Sequence, residues 1–531
     1  MTTFHQLLRD RAAEHGDRTA LLFDAETVSY AELLDRSERI AAGLQGFGIG
    51  ADDHVALLMD NSLDCVFAWL ASSLLGCTEV PINPQYRGQL LHYLLRDADV
   101  TAVICDAAYV PQLAEVAATL PKLKLVLVSG GDALPDLGNA RIERFADCYK
   151  ASAGLDPVAS APERVILYTS GTTGPSKGVT HTQRSCLTLS RYNAEMMEYC
   201  RDDRLLNFFP LYHQNARYTG VIPAIWAGAS IRLERKLSTS NFWKTVDADG
   251  ITAFNYLGSV LRLILNLTGE DRVAGSHTLR TAFGAGAPPA VWEAFEQRLG
   301  VRLVETYGLS EAPVAALNVR KGARSSEIGS AGRGTDLFEL AVADADDNLL
   351  PAGEIGEIVL RPRVPDAMMT GYYNKEVATV RAFRNLWFHS GDRGRLSEQG
   401  DLFFEAREKD AIRRRGENIS AWEVESVLDA HPDVAESAVF GVACDDADEE
   451  VAVAIVLKAG ASDLRTVLDH AAKNLPAYAV PTLLRVMADL PRTPTEKVQK
   501  AELRAAPRAA YLTRSEILEA APRARSEEII R

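Results

Sequence analysis

The stretch "YTSGTTGPSKG", residues 168–178, holds five serine and threonine hydroxyls, three glycines and one lysine. Hydroxyl donors, open backbone N–H groups and one cation are what a polyphosphate needs around it. A Walker-type P-loop requires glycine directly before the lysine and a hydroxyl directly after it. Here Ser176 precedes Lys177 and Gly178 follows it, so that template fails. Three readings remain: another kind of phosphate loop, a surface linker, or a plain strand-to-strand turn. The preceding "RVILYTS" reads as a strand, and "GV" after the lysine resumes apolar packing. That context favours a phosphate loop at a strand end.

Other segments carry side chains suited to the same ligand. "YGLSE" offers Ser310 and Glu311, and "FHSGD" offers Asp392. A hard cation takes oxygen ligands from one or two carboxylates together with substrate phosphates. "PLYHQNA" places His213 at a loop, "AIRRRG" sets three arginines in an acidic protein, and "RTPTEKVQK" presents Lys497. Taken singly, each has a plainer reading: a helix start, a core histidine, a solvated hairpin edge, a surface lysine.

The elements that must position these residues are legible from periodicity. Up to about Cys200, helical patterns alternate with short apolar strands such as "HVALLMD", "TAVICD" and "LKLVLVS". The same alternation returns from Arg204 to Tyr307. Two such runs predict an α/β fold with two largely parallel, packed subdomains. Between Ser325 and Phe404 the texture changes to short β segments with Gly and Pro turns, which predicts a small barrel-like sheet. A charged patch near Glu408–Asp410 then separates a smaller α+β region. The predicted domains are 1–408 and 409–531, the second ending in a helical tail opened by a capping box, Thr513 with Glu516.

The 531 residues are too many for one ordinary core. Fifty-seven basic against seventy-two acidic residues give a net charge of −15, which argues against nucleic acid as partner. Seven scattered cysteines show no CxxC pair and no metal-ligand spacing, which predicts a reduced, cytoplasmic chain. The apolar run "CVFAWLASSLLGC" is too short for a membrane span and predicts a buried helix, with no membrane anchor expected.

"YTSGTTGPSKGV" resembles the signature loop of the adenylate-forming superfamily of acyl- and aryl-CoA synthetases, peptide-synthetase adenylation domains and luciferases. "FFPLYHQNA", "GAGAPP", "ETYGLSEA", "MTGYYNKEVAT", "WFHSGD", "REKDAIRRRGENIS" and "RTPTEKVQK" resemble further motifs, in the family's order and over nearly the whole chain. The resemblance is closest to carnitine/crotonobetaine-type acyl-CoA ligases.

The resemblance implies roles residue by residue. Thr169, Ser170, Gly171, Thr172, Thr173, Gly174 and Lys177 would hold the β- and γ-phosphates of ATP. Glu311 would hold Mg2+, and Ser310, where the family usually has threonine, would meet the α-phosphate. Tyr307 would pack on adenine, with Gly284, Ala285 and Gly286 allowing close backbone approach. Asp392 would accept the ribose hydroxyls, with Arg407 as the second ribose contact. Lys409 stands at the family's hinge. Lys497 resembles the catalytic lysine, with Glu496 where glycine is usual. His213 would flank the acyl carboxylate, in a pocket lined by Arg217, Tyr218, Asn255, Tyr256, Leu257 and Gly258. Arg217 has two readings: it faces the pocket and selects a second anionic group, or it is surface-exposed or salt-bridged. Arg413, Arg414 and Arg415 would receive CoA phosphates or form a solvated hairpin edge.

The activity implied is an AMP-forming acid–CoA ligation in two steps: an acyl-adenylate with pyrophosphate release, then a thioester with AMP release. The substrates would be ATP, a small-molecule acid and CoA, and the assembly a monomer or homodimer. The alternative is an adenylating enzyme with another acceptor or oxyanion, loading a carrier protein or activating nitrite for aryl-amine diazotisation.

Overall fold

Runs of four to six apolar residues ending at Asp, Pro or Gly become buried strands, and the amphipathic stretches between them become covering helices. The computed structural model of the chain describes residues 3–131, 137–138, 140–152, 164–169, 175–320, 323–324, 326–407, 411–415, 417–444, 449–458, 460–461, 463–491 and 498–519. Two compact units emerge. One comprises Met1–Pro84, Leu95–Tyr168 and Gly178–Ala406; the other comprises Gln85–Leu94, Thr169–Lys177 and Arg407–Arg531.

The first unit carries two large sheets. The eight-stranded sheet runs, edge to edge, Gly371–Tyr372, Lys177–Thr182, Arg164–Thr169, Thr78–Pro81, His54–Leu58, Ala102–Asp106, Leu125–Ser129 and Arg141–Arg144. The nine-stranded sheet runs Arg333–Gly334, Ala316–Leu317, Arg302–Tyr307, Thr281–Ala285, Ala253–Leu257, Arg204–Asn207, Ser230–Leu233, Thr19–Phe23 and Glu26–Ser29. Its central strands are parallel, which sets their carboxyl ends along one edge.

The N-terminal strand departs from the sequence reading. Thr19–Phe23 belongs with the second run, pairing Leu21 with Ile231 in parallel. Periodicity identifies a strand but not a partner two hundred residues away. "CVFAWLASSLLGC" forms the buried helix Leu63–Leu74, started by Ser62, whose hydroxyl accepts the N–H of Cys65. Among the described residues no helix is long and apolar enough to cross a membrane. The region after Ser325 gives a five-stranded antiparallel sheet built on Phe338–Ala343, Gly356–Pro362 and Trp387–Leu396.

In the second unit, Val434–Ala443, Glu449–Leu457, Leu483–Val486 and Leu512–Thr513 form a four-stranded sheet. Helices Ala421–Asp429 and Leu464–Asn474 bury Val424, Leu428, Val467 and Leu468 into its core. The capping box is present: Thr513 N–H donates to Glu516, and Glu516 N–H donates to the Thr513 hydroxyl.

Candidate active site

Thr169 ends one strand of the eight-stranded sheet and Lys177 begins its neighbour, so the phosphate-loop sequence joins two adjacent strands. Ser170, Gly171, Thr172, Thr173 and Gly174 lie outside the described residues.

The strand leaving that loop and its edge neighbour hold the "YGLSE" segment. His181, 3% exposed, donates Nε2–H to the Ser310 carbonyl at 2.6 Å. Burial pushes its pKa down to about 4, so the ring is neutral at ordinary pH, with Nδ1 facing the Ser185 hydroxyl at 3.0 Å. The strand Gly371–Tyr372 pairs with Val179 and Thr180, and Tyr372 donates its hydroxyl to Glu311 Oε1 at 2.8 Å. Met369 N–H donates to the Glu311 carbonyl at 2.8 Å. Ser310 is thus tied by its backbone to the strand that follows the phosphate loop, and Glu311 by its side chain to that strand's edge neighbour. Sequence reading assigns no role to either: His181 lies two residues past the resumed apolar run, and Tyr372 lies within the quoted "MTGYYNKEVAT".

Among the described residues no three His, Cys, Asp or Glu side chains gather as a metal cage. Glu311, oriented by Tyr372, is the donor set expected where a cation arrives with a polyphosphate and keeps most of its ligands from it.

Adenine and ribose candidates are joined directly. Tyr307, at the end of its strand, donates its hydroxyl to Asp392 Oδ2 at 2.9 Å, and both residues are buried. The Asp392 loop is pinned in turn, since Glu357 accepts Gly391 N–H at 2.9 Å and Ser390 Oγ accepts Asp392 N–H at 3.0 Å. Arg407 ends the strand Leu402–Arg407, beside Trp387–Leu396, which carries Asp392.

The "GAGAPP" loop is organised by a residue the sequence reading passed over. Glu305, 4% exposed, accepts Gly286 N–H at 2.9 Å, Ala287 N–H at 2.7 Å and the Tyr256 hydroxyl at 2.8 Å. A lone acid in the apolar run "RLVETY" was its signal, because a buried carboxylate requires donors. The glycines serve packing first. A Cβ on Gly284 would fall 2.1 Å from the Tyr256 carbonyl, and one on Gly258 would fall 1.8 Å from the Gly286 carbonyl. Gly286, at φ +76°, makes the turn itself.

The acid-pocket candidates separate into two groups. His213 is exposed, with its ring 4.5 Å from Tyr212, and Asn255, Tyr256, Leu257 and Gly258 run from the end of a parallel strand into the next helix. Arg217 and Tyr218 are buried, as Asn255 and Tyr256 also are, and Arg217 is committed to partners of its own. Arg217 is 0% exposed, its Nη1 donates to Glu79 Oε2 at 2.6 Å, and its guanidinium lies 4.5 Å from the Trp69 ring centre. Its Nε donates to the Leu211 carbonyl. This corrects the pocket-facing expectation for Arg217: its charge is spent on Glu79, leaving none to select a second anionic group. Tyr218 is buried against Trp69 and donates no free charge either.

Lys409 and Lys497 lie outside the described residues. Arg414 is buried; its guanidinium donates to the Tyr478 carbonyl at 2.8 Å and pairs with Glu450 at 2.9 Å. The expected three-arginine phosphate receptor is therefore reduced to Arg413 and Arg415, the two exposed members.

Known proteins resemble the chain over most of its length. The family model described as AMP-binding enzyme matches residues 8–373, and the AMP-binding enzyme C-terminal domain matches residues 423–497. A crotonobetaine/carnitine–CoA ligase of Salmonella paratyphi A is 29% identical over 510 residues, covering 94% of this chain and 98% of that protein. The ATP-bound crystal structure of MatB from Rhodopseudomonas palustris is 26% identical, with a TM-score of 0.67 over 94% of this chain and 98% of that one. The o-succinylbenzoate CoA synthetase (MenE) of Bacillus subtilis, at 24% identity, shares the fold with a TM-score of 0.80 over 94% of this chain and 98% of that one. With a family model spanning more than half its length and the tethered Ser310–Glu311 and Tyr307–Asp392 pairs on one framework, the chain belongs to the AMP-binding enzymes.

Proposed function

We propose that the protein is an ATP-dependent acid–CoA ligase that works through an acyl-adenylate. The observation that carries this is the anchoring of Ser310 and Glu311 to the strand leaving the phosphate loop and to its edge neighbour, through His181 and Tyr372. In the assigned roles the phosphate loop takes the β- and γ-phosphates, the Ser310 hydroxyl the α-phosphate and the Glu311 carboxylate the cation. Likeness over almost the full length to a CoA ligase supports a thiol as the second-step acceptor.

Tyr307 and Asp392 position the nucleoside, the ring covering the base and the carboxylate accepting vicinal hydroxyls. Lys177 holds the pyrophosphate that leaves. Magnesium, held by Glu311 and the phosphates, would supply charge neutralisation at the transferring group. Lys497 is assigned the developing charge at the α-phosphorus, a task for a preorganised cation. We assign residues 1–408 to nucleotide and acid binding, residues 409–531 to a second domain, and Lys409 to the hinge between them. His213 flanks the carboxylate, and its exposure suits a gate.

Pyrophosphate release measured against aliphatic, aromatic, dicarboxylic and betaine acids, with and without CoA, tests the reading. Acid-dependent release, with thioester appearing only when CoA is present, is expected. Release that ignores CoA and gives no thioester would move the acceptor to a carrier protein or an amine.

A further inference from the structure

The carboxyl edge of the nine-stranded sheet holds a polar niche in the region assigned to the acid, and this inference rests on that assignment. Asn207 is the last residue of its strand, and Asn255 sits on the neighbouring strand. Both are buried, at 1% and 3% exposure. Between them lies Gly220, in the π-helical turn Arg217–Val221 that follows the short helix Gln214–Ala216. Such turns are frequent at functional sites because an extra residue in the turn re-aims side chains. A Cβ built on Gly220 meets nothing closer than 3.7 Å, and the atoms it meets are all polar: the Asn215 carbonyl, Asn255 Nδ2 and Asn207 Oδ1. Gly220 therefore leaves a methyl-sized space walled by polar groups.

The polarity of that wall has a sign. Asn255 Nδ2 donates to Asn215 Oδ1 at 2.7 Å and to Thr219 Oγ1 at 3.0 Å. Thr219 donates its hydroxyl to the Asn215 carbonyl at 2.7 Å. Asn207 Nδ2 donates to the Phe209 carbonyl at 3.0 Å, and Gln214 Nε2 donates to the Leu309 carbonyl at 3.0 Å. Those carbonyls fix which end of each amide points away. Asn207 Oδ1 and Gln214 Oε1 are then buried acceptors without a partner. The donors of Asn255, Thr219, Asn207 and Gln214 are thus committed while Asn207 Oδ1 and Gln214 Oε1 are left over, and buried acceptors are rarely left so. Arg217, paired with Glu79 at 2.6 Å, does not offer the niche a charge for a second carboxylate.

We propose that the acid this enzyme activates carries a hydrogen-bond donor, a hydroxyl or an amino group, which enters the Gly220 niche and satisfies Asn207 Oδ1. An unsubstituted alkyl or aryl acid leaves that acceptor unmet, and a site built to bond a donor discriminates strongly against the analogue lacking it.

Acid-dependent ATP–pyrophosphate exchange with matched probes tests this: butanoate against 2-, 3- and 4-hydroxybutanoate and 4-aminobutanoate, and benzoate against 4-hydroxybenzoate. At least one donor-bearing probe is expected to exceed its unsubstituted partner in kcat/KM by about tenfold to a hundredfold. Gly220→Ala fills the niche at ordinary contact distance and should bring that ratio toward one. Unsubstituted acids matching or beating every donor-bearing partner in the unaltered protein would overturn the proposal while leaving acid activation intact. So would Gly220→Ala lowering both members of a pair equally. Exchange with no acid at all would remove the acid–CoA ligase reading itself and the proposal with it.

Discussion

At the scale of single residues, the site is held by side chains that do not touch substrate in any assigned role. His181 is the clearest case. Burial drops its pKa from 6.5 to about 4, and it spends its Nε2–H on the Ser310 carbonyl. The unfolded chain takes up a proton near pH 6.5 and the folded chain does not, so stability falls as pH drops from 6.5 to about 4 and levels off below. From pH 7 to pH 5 this one group should remove about 2 kcal/mol. His181→Gln, which keeps an N–H donor and has no proton to gain, should flatten that part of the profile. Urea unfolding of both proteins at the two pH values checks it, and parallel losses in the two would assign the pH dependence elsewhere. Sequence reading singled out candidate ligand contacts because their types stand out in glycine-rich loops. It passed over His181, Tyr372 and Glu305 because each lies within or next to a strand, where a polar residue signals function only once its partner is known. Arg217 shows the converse: its spacing after His213 suggested the pocket, and only Glu79, 138 positions earlier, revealed its use.

At the scale of elements, the strands and helices were legible and their partners were not. Alternating patterns marked both α/β runs, yet Thr19–Phe23 crosses to the second sheet and Gly371–Tyr372 crosses to the first. The latter crossing serves the site by bringing Tyr372 to Glu311. One element carries visible strain. The hairpin Phe383–Arg384 to Trp387–Leu396, which leads into Asp392, turns through Asn385 at φ +48° and Leu386 at φ +64°. Two left-handed residues define a turn that normally ends in glycine, and Leu386 is 81% exposed, so no packing offsets its backbone cost. Leu386→Gly should stabilise the protein by about 1 kcal/mol, the typical left-handed penalty of a residue bearing Cβ. A rise in the thermal midpoint with unchanged ATP affinity is the expected result. A fall would mean that Leu386 rests on a surface that the exposed side chain does not reveal.

At the scale of the whole molecule, sequence texture separated two regions near residue 408, whereas the second compact unit gathers Gln85–Leu94 and Thr169–Lys177 with Arg407–Arg531. The larger unit holds Tyr307, Ser310, Glu311 and Asp392, and none of these is a cation for the reacting phosphorus. Arg217, fully buried and paired, does not supply it. The assignment of Lys497 to that task predicts an asymmetric loss. Lys497→Ala should lower acid-dependent ATP–pyrophosphate exchange about a hundredfold or more, the scale of removing one preorganised transition-state contact. Thioester formation from a supplied acyl-adenylate and CoA needs no charge neutralised at that phosphorus, so it should fall by less than about threefold. The two rates, measured on one preparation, distinguish a residue of the first step from one that merely stabilises the smaller unit, since unfolding would depress both alike.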